Sequence, residues 1–369
     1  MSARLPHFLV GGRTSVLRRA FASYAATARR GRLARILAGS AALAPFRTAE
    51  SIIHGRAARS FELHPEPVFI IGHWQGGHSW LHELLSRDPQ FAMLQLRHCI
   101  SPGSFRVLRP FFQRHLAKRL PSQRGVDSLK MGLDAPQGDD FLLAGLTRRS
   151  IYYAYAFPDS AALVFDDTLM LAGASSQEVE AWQTTYKRAW QGVAAEQGKT
   201  RFVSRNASNT TRIPQLLAMF PKARFVHMHR HPAALFSAQD RRWRSLTGRW
   251  ALQSPNFDQL RQHTFVFFER MMKKYLTDRA LVPSGQLIDI EYEELRSHPI
   301  RVLEQVYQGL GLGGFDEARP CFESFVSQAN GELALAELTE GELADVRERW
   351  GFAYSEFGYD DAQRSSRVA

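Results

Sequence analysis

The sequence is constrained most by one segment, residues 68–85, which reads VFIIGHWQGGHSWLHELL. Its first part, Val68 to Gly72, is apolar without interruption, as is typical of a strand that is covered on both faces of a parallel sheet. Closely spaced glycines then predict a tight turn, because glycine adopts backbone angles that other residues avoid. Ser79 to Leu85 have helical spacing, so a strand, a glycine-rich loop and a helix follow one another.

Three other apolar runs have the same character: Arg201 to Ser204, Arg224 to His229 and Gln286 to Ile290. Each is followed by a segment with helical spacing, and strands that alternate with helices are typical of a parallel sheet. We therefore predict an α/β protein with a P-loop-like fold of three layers, in which helices flank a central, mostly parallel sheet. Residues 90–200 are predicted to be a mostly helical insertion that shapes a substrate pocket.

The positive charge of the chain is concentrated at its N-terminus. Residues 1–60 contain eleven arginines, no lysine and one acid, Glu50, whereas the rest of the chain holds 36 basic and 35 acidic residues. Because the charges of residues 61–369 nearly cancel, a nucleic-acid-binding surface on this part of the chain is disfavoured, and we expect no nucleic-acid partner. This composition predicts a basic, Arg- and Ala-rich arm (1–60), an α/β domain (61–325) with the insertion at about 90–200, and a helical or irregular C-terminal tail (326–369).

Three interpretations of the arm are open. Leu17, Phe21 and Tyr24 have helical spacing among arginines, which suits an amphipathic helix on an anionic membrane surface. An organelle transit peptide has the same acid-poor composition, and a helical arm packed on its own domain would also expose arginines. A secretory signal is disfavoured because the arginines extend too far along the chain. The charge-free stretch Ile36 to Phe46 is too short for a bilayer of about 30 Å.

The two cysteines, Cys99 and Cys321, are far apart in the sequence and form neither a disulfide framework nor a metal-binding motif. Such sparse cysteines are typical of a reducing compartment. We expect a cytoplasmic protein, which is peripheral to a membrane if the arm binds lipid. Organelle targeting by the arm is the alternative.

The glycine-rich loop matches part of a phosphate-binding motif. Gly72, Gly77 and Ser79 fit the frame G-x-x-x-x-G-K-S/T, but His78 stands where that motif has its lysine. Converging backbone N–H groups and the positive end of the next helix can still bind an anion. Without the lysine, a nucleotide-hydrolysing P-loop is a weak match. The alternative is a strand-to-helix turn in which Gly76 and Gly77 serve backbone geometry alone.

The same loop resembles that of the sulfotransferase family, in particular a bacterial branch whose loop reads G-H-W-R-S-G-T-T-x-L-H-N-L-L; this chain has GHWQGGHSWLHELL. Further similarity follows in VDSLKMGLDAPQGDDFLLA, YAFP, RNASNTTRIPQLLAMFPKARFVHMHRHP and IEYEELRSHPIRVLEQVYQGLGL, over roughly residues 60–320. The resemblance implies in-line transfer of a sulfuryl group from 3′-phosphoadenosine 5′-phosphosulfate to a hydroxyl or amine of a small-molecule or lipid-like acceptor. It implies no metal.

By this resemblance, the donor contacts are Gln75, Gly76, Gly77, His78, Ser79 and Trp80 in the loop, together with Arg230 and Ser237 in a second segment. The loop departs from the family pattern at several of these positions. Gln75 replaces a basic residue, so a positive charge is lost. His78 and Ser79 replace a pair of threonines: Ser79 keeps a hydroxyl, while His78 is larger and can titrate.

The second donor segment is also altered. Arg230 keeps the cation that the family directs at the ribose 3′-phosphate. Ala238 stands where the family has a serine, and Ser237 lies one position earlier, which is about 100° away on a helix. Arg205 takes the place of a lysine that is common in the branch, and Arg212 matches a retained arginine.

Sulfuryl transfer needs a base beside the acceptor hydroxyl. The motif PQGDDF holds Asp139 and Asp140 where the branch carries acidic residues, and Asp140 is the base that the resemblance favours. His98 is the second candidate, and a reactive His78 is a third. Two adjacent aspartates are equally typical of a helix N-terminus, and His98 can be an ordinary loop histidine.

A cluster of histidines is also open to a metal-binding interpretation. His227, His229 and His231 alternate along a predicted strand, and His78 and His82 share one face of the predicted helix. Most of them resemble ordinary family positions, however. We therefore expect no metal.

Two functions of different classes follow from these residues. The first is sulfuryl transfer from the sulfonucleotide. The second is a sulfotransferase fold that has lost sulfonucleotide use and either modifies a lipid or metabolite in another way or binds without catalysis; Gln75, Gly76, His78 and Ala238 motivate it. A nucleotide kinase is a third, weaker option, because the glycine frame survives but the lysine does not.

Overall fold

The computed structural model describes residues 6–123, 129–328 and 337–360. Within them, five parallel strands form one sheet: β1 (Val68–Gly72), β2 (Phe91–Met93), β3 (Arg201–Arg205), β4 (Arg224–His229) and β5 (Leu287–Glu291). Their order across the sheet is β2-β3-β1-β4-β5, so β1 lies at the centre. Parallel neighbours need crossover connections, and helices supply them.

Strand β1 separates two apolar layers. All five of its residues are buried, as its unbroken apolar sequence predicts. Phe69 packs in a cluster with Trp182 on one face of the sheet, while Ile70 packs in a second cluster with Leu303 on the other. Alternate strand residues therefore serve opposite faces, and the predicted three-layer α/β fold is confirmed.

The structure also confirms the four predicted strands, with small shifts at their ends. Strand β3 extends one residue further, to Arg205, and β5 runs from Leu287 rather than Gln286. The sequence pattern does not predict β2, which has only three residues and lies at the edge of the sheet. So short a strand carries too few residues for an apolar pattern to be recognised.

Helices surround the sheet. Those before β2 are α1 (Thr14–Tyr24), α2 (Arg30–Ala42), α3 (Ala44–Ser60) and α4 (His78–Leu85). Between β2 and β3, in the predicted insertion, lie α5 (Leu96–Ile100), α6 (Arg109–Phe111), α7 (Asp139–Leu143), α8 (Tyr152–Ala156), α9 (Ala161–Phe165) and α10 (Ser176–Gln197). The remaining helices are α11 (Ile213–Met219), α12 (Pro232–Trp250), α13 (Phe257–Asp278), α14 (Tyr292–Ser297), α15 (Pro299–Leu310), α16 (Phe315–Ser327) and α17 (Glu340–Glu356). In the part of the chain described, none of these helices is apolar over a length sufficient to cross a bilayer.

The predicted boundary at residue 60 does not separate two structural units. Leu17 and Tyr24 of α1 are fully buried in a core cluster that also contains residues of α8, α9, α12 and α13. The Tyr24 hydroxyl donates to Asp167 at 2.8 Å, and the Arg13 amide donates to the Gly145 carbonyl at 2.9 Å. The apolar face that would suit a membrane is thus covered by protein, and arginines such as Arg18 point to solvent.

The predicted C-terminal tail contains α17, which is part of the core. Trp350 is fully buried, with its ring centroid 4.0 Å from that of Phe268, and its indole N–H donates to the Phe265 carbonyl at 3.3 Å. Further on, Tyr359 reaches the end of β4, where its hydroxyl lies 2.9 Å from Nδ1 of His229. Residues 1–5 of the arm, and residues 329–336 and 361–369 of the tail, lie outside the described chain.

Replacement of a buried residue of α1 should destabilise the whole protein. We expect Leu17→Ala to lower the free energy of unfolding by about 2–5 kcal/mol, because it leaves a cavity in a closely packed site. The adjacent exposed residue gives a control: Arg18→Ala should change stability by less than about 0.5 kcal/mol. Chemical denaturation followed by circular dichroism measures both values, and two negligible effects would contradict the packing of α1 into the core.

Candidate active site

The glycine-rich loop turns the chain sharply between β1 and α4. Gly72, Gln75 and Gly77 have φ values of 130°, 69° and 95°. Glycine adopts such angles readily, but Gln75 does so at a cost of about 1–2 kcal/mol. Strain of this kind persists where the surrounding structure holds the backbone in one conformation, as binding sites often require. The first N–H groups of α4, which have no partner within a helix, begin directly after this turn.

Two of the glycines are needed for space as well as for backbone angle. A Cβ atom on Gly72 would lie 2.2 Å from the carbonyl oxygen of Met228 in β4. A Cβ atom on Gly77 would lie 2.1 Å from Cδ2 in the ring of Tyr292, the first residue of α14. The loop therefore touches β4 and α14 through backbone surface, and only glycine permits these approaches.

His78 lies beneath the loop, where it contributes no charge. Its Nε2 would be 2.9 Å from a Cβ atom on Gly72, and the side chain is buried. Burial, and to a smaller extent the charge of Arg205, lower the pKa of His78 to about 3. The ring is therefore neutral at pH 7 and does not titrate near neutrality, contrary to what an exposed histidine would do. Its position favours a packing role over that of a reactive group.

Arg205 supplies a positive charge at the start of α4. Its Nη1 donates a hydrogen bond to the hydroxyl of Ser79. The backbone of Gly138, just before α7, is also close, because a Cβ atom there would lie 3.0 Å from the Arg205 carbonyl oxygen. This arginine at the end of β3 thus brings the loop side of the site together with the segment that carries Asp139 and Asp140.

A second arginine lies on the opposite side of the loop. The guanidinium carbon of Arg230 is 4.5 Å from the ring centroid of Tyr292, within the range of a cation–π contact. The same ring touches Gly77. Tyr292 therefore holds Arg230 beside the loop, and two guanidinium groups, from Arg205 and Arg230, flank one turn of backbone.

Trp80 and Ser237 lie on buried faces of their helices. The ring of Trp80 is covered by the guanidinium of Arg296, 4.4 Å from its centroid, and by Phe325, at 5.4 Å. Its contacts are thus with protein on α14 and α16. Ser237 is buried on α12 beside Ala238, and its role as a donor contact stays a prediction.

The two candidate carboxylates have different surroundings. Asp140 accepts a hydrogen bond from the Ser208 hydroxyl; burial raises its pKa, and the nearby charge of Arg212 opposes that shift. Asp139 accepts hydrogen bonds from the hydroxyls of Tyr186 and Ser204, and burial raises its pKa to about 7. Asp139 also borders a small cavity of about 10 Å³ whose lining is otherwise almost entirely apolar. Asp139 therefore faces the core.

Arg242 is a functional candidate that the sequence analysis misses. Its Nε donates to the hydroxyl of Tyr155 at 2.8 Å. It is close enough to influence the pKa of both His73, in the loop, and Asp140. Arg242 thus lies near both Asp140 and the glycine-rich loop. The sequence does contain a signal for this residue: Arg242 follows Leu235 by seven residues, or two helical turns, so both lie on the buried face of α12.

His98 is held away from such a role by its own hydrogen bonds. Nδ1 accepts from the backbone N–H of Gln95 at 2.9 Å, and Nε2 lies 2.7 Å from Oε2 of Glu196. The ring is fully buried, and burial lowers its pKa. Because both nitrogens have partners, these contacts favour a structural role over that of a base.

The other histidines are also engaged with protein. Nδ1 of His227 lies 2.7 Å from Oδ1 of Asp289, and its ring stacks on Tyr275 at 3.8 Å between centroids. His229 pairs with the hydroxyl of Tyr359. Across residues 6–123, 129–328 and 337–360, no group of three or more His, Cys, Asp or Glu side chains is arranged to hold a metal ion.

The parallel sheet, the glycine-rich turn at its central strand and the flanking arginines define an α/β group-transfer enzyme of the P-loop-like type. A profile of the sulfotransferase family matches residues 67–317, so the chain belongs to the sulfotransferase family. The predictions of this family and of an enzyme are thereby confirmed.

Known proteins of the family are similar over most of this chain. The omega-hydroxy-beta-dihydromenaquinone-9 sulfotransferases Stf3 of Mycobacterium bovis and Mycobacterium tuberculosis are each 29% identical to it over 312 residues, or 84% of this chain and 80% of the relative. The crystal structure of sulfotransferase STF1 from M. tuberculosis has a TM-score of 0.66 at 20% identity and covers 90% of this chain and 89% of its own. Sulfotransferase STF9 from Mycobacterium avium has a TM-score of 0.66 at 16% identity, with 94% and 96% covered. These structures share the fold.

The raised pKa of Asp139 predicts a pH-dependent stability. The folded protein holds this proton more tightly than the unfolded chain, in which the pKa is about 3.9. The contribution of Asp139 to stability is therefore fully present below pH 4 and is lost as the pH rises through about 7. Asp139→Asn removes this dependence. The free energy of unfolding of the variant should therefore rise relative to that of the wild type between pH 4 and 8. Denaturation at both pH values measures the gain; a constant difference would contradict the shift.

Proposed function

We propose that the protein transfers a sulfuryl group from 3′-phosphoadenosine 5′-phosphosulfate to the hydroxyl of a lipid-like acceptor. The observation that carries this proposal is the pair of guanidinium groups at the loop: Arg205 bonded to Ser79, and Arg230 held on Tyr292 against Gly77. The donor carries two separate anionic groups, a 5′-phosphosulfate and a ribose 3′-phosphate. A turn with one cation on each side suits such a molecule.

In this proposal the loop binds the 5′-phosphosulfate. The N–H groups at the start of α4 and the hydroxyl of Ser79 face its oxygens, while Arg205 offsets the charge that develops on the leaving phosphate. Arg230 binds the 3′-phosphate. The loop itself has no formal cation, because Gln75 is neutral and His78 is buried and uncharged. Charge from the neighbouring strand ends therefore replaces charge in the loop.

Asp140 is the base that we assign to the acceptor hydroxyl. The acceptor oxygen forms a bond to sulfur, the bond between sulfur and the phosphate oxygen breaks, and the hydroxyl proton passes to the carboxylate. Burial raises the pKa of Asp140 and so makes its carboxylate a stronger base, while Arg212 and the Ser208 hydroxyl stabilise the ionised form. Arg242, close to both Asp140 and the loop, stabilises charge between them.

The surroundings of Asp140 support an apolar acceptor. The ring of Phe141 stacks on Tyr152 with centroids 5.1 Å apart, and Tyr155 and Trp250 extend this aromatic group. A wall of rings beside a carboxylate suits a long apolar molecule that ends in a hydroxyl. The Stf3 relatives are named for an omega-hydroxy menaquinone derivative. We infer an acceptor of that lipid-like class.

We also propose that the protein works in the cytoplasm, at a membrane surface. Both cysteines are free, and Cys321 is exposed, as suits a reducing compartment. Organelle targeting by a cleaved arm is disfavoured, because cleavage after α1 would remove Leu17 and Tyr24 from the core. A lipid-like acceptor would be met at the surface of a bilayer.

Donor binding can be measured with the desulfonated nucleotide, 3′-phosphoadenosine 5′-phosphate. Isothermal titration should give micromolar binding to the wild type. Arg230→Ala should weaken it by about 10- to 100-fold, since a charged hydrogen bond contributes about 1.5–3 kcal/mol. Arg301→Ala, in an exposed ion pair on α15, is the control and should bind normally. No binding to the wild type at millimolar nucleotide would reject the proposal.

The role of Asp140 predicts a loss of turnover without a loss of donor binding. Asp140→Asn should lower kcat by about 10²- to 10⁴-fold, the usual contribution of a general base, and leave nucleotide affinity unchanged. Asp139→Asn is the matched neighbour and should retain more activity, because Asp139 faces the core. Turnover of labelled donor with a hydroxyl-terminated prenyl lipid measures both; equal losses in the two variants would contradict the assignment.

The second candidate function is a sulfotransferase fold that no longer uses the sulfonucleotide. It is favoured by one observation, the absence of a formal cation at Gln75 and at the neutral His78. The triple variant Gln75→Arg, Gly76→Ser, His78→Thr restores the loop of the bacterial branch. Nucleotide binding by this variant alone would support the second function, whereas equal binding by the wild type would exclude it.

A further inference from the structure

Helix α3 leaves large apolar side chains in solvent. Ile52 and Ile53 have 77% and 64% of their surface exposed, and Phe46 has 42%. They belong to a helix of 17 residues whose opposite side is turned to the protein. Single exposed apolar residues are common on proteins, but adjacent isoleucines on one helix, with an aromatic residue two turns away, form a patch.

The inner side of α3 is firmly attached, so its outer side has a fixed orientation. Glu50 is buried and its Oε2 accepts from the backbone N–H of Val107 at 2.8 Å. Leu43 packs against the cluster of Leu108 and Phe112. Near the C-terminus of the helix, Gln191 of α10 donates to the carbonyl of Arg59 at 3.1 Å.

The charged side chains that α3 exposes are both positive. Arg56 and Arg59 are exposed on α3, and neither has an ion pair within the described chain. The one acid of residues 1–60, Glu50, is turned inward, where it cannot neutralise them. We call Phe46, Ile52, Ile53, Arg56 and Arg59 the α3 face.

The neighbouring segment has the same character. Residues 109–119, which follow the chain bonded to Glu50, read RPFFQRHLAKR and contain no acid. Phe112 is buried beneath them, while Phe111 has 57% of its surface exposed. An element that follows the inner contacts of α3, at Val107 and Leu108, thus also presents an aromatic ring and basic side chains to solvent.

We propose that the α3 face docks the protein on the anionic lipid surface of a membrane. Ile52 and Ile53 enter the boundary between headgroups and acyl chains, and Arg56 and Arg59 contact lipid phosphates. This proposal rests on the proposed function in one respect: a lipid-like acceptor lies in a bilayer, and this is one reason for choosing a membrane as the partner. The surface differs from the one that the sequence predicts, because Leu17 and Tyr24 are buried.

Charge and shape distinguish this occupant from the alternatives. Nucleic acid would attract the arginines but would leave two isoleucines and a phenylalanine without apolar partners. A second copy of the chain would bring like charges together. A bilayer with anionic headgroups offers a negative surface above an apolar layer, which matches both parts of the α3 face.

Vesicle flotation of the full chain tests the proposal. Wild-type protein should bind phosphatidylcholine vesicles that contain phosphatidylglycerol, and should not bind phosphatidylcholine alone. Ile52→Ser with Ile53→Ser should weaken binding at least tenfold. Arg56→Gln with Arg59→Gln should weaken it about 25-fold, or fivefold per arginine, from about 1 kcal/mol for each basic residue near the surface. Leu281→Ser with Leu343→Ser, two exposed apolar residues elsewhere, is the matched control and should bind like the wild type.

Each other result overturns the proposal. These are wild-type protein that stays unbound, an isoleucine variant that binds like the wild type, tight binding to a duplex oligonucleotide that competes with vesicles, and a dimer that the isoleucine variant abolishes. All variants should bind 3′-phosphoadenosine 5′-phosphate equally, because the α3 face lies outside the donor loop. Normal nucleotide binding without vesicle binding would thus reject the docking surface and leave the proposed function standing.

Discussion

The glycine-rich loop depends on one close contact, between the backbone of Gly77 and the ring of Tyr292. No side chain larger than hydrogen fits there, so the end of the loop lies directly on the first residue of α14. The same ring carries the guanidinium of Arg230, which follows β4. One aromatic side chain therefore sets the spacing between the loop after β1, the end of β4 and the start of α14. Chemistry that needs an anion held against a distant cation depends on this spacing.

Charge at the site comes from the scaffold and not from the loop. Arg205 ends β3, Arg230 follows β4 and Arg242 lies within α12, while the loop contributes neutral groups. Rigid elements hold these cations in place before any ligand binds, which is the arrangement that lowers reorganisation in group transfer. Asp140 belongs to the same system, because buried carboxylates and arginines stabilise one another only when both are present.

The sequence predicts the strands of this fold well, because parallel strands covered on both faces are apolar throughout, as Val68 to Gly72 are. It predicts α1 as amphipathic but cannot say what covers it: lipid and protein both accept Leu17 and Tyr24. The sequence analysis misses Arg242 because an arginine interrupts the apolar spacing that marks the buried face of a helix, so it does not suggest a buried functional residue. The sequence cannot show the contacts that favour a structural role for His98, because its partner Glu196 is distant in sequence and only the fold brings the two together.

Helices α1 and α17 contribute to one hydrophobic core. Leu17 and Tyr24 from α1 share a hydrophobic cluster with Val346 and Trp350 from α17, more than three hundred residues later. Synthesis runs from the N-terminus, so α1 is made before its direct partners Tyr153 and Phe157, and well before the residues of α17 that complete the cluster. Until α17 has been synthesised, a nascent chain leaves the part of this cluster that α17 covers exposed to chaperones and to aggregation.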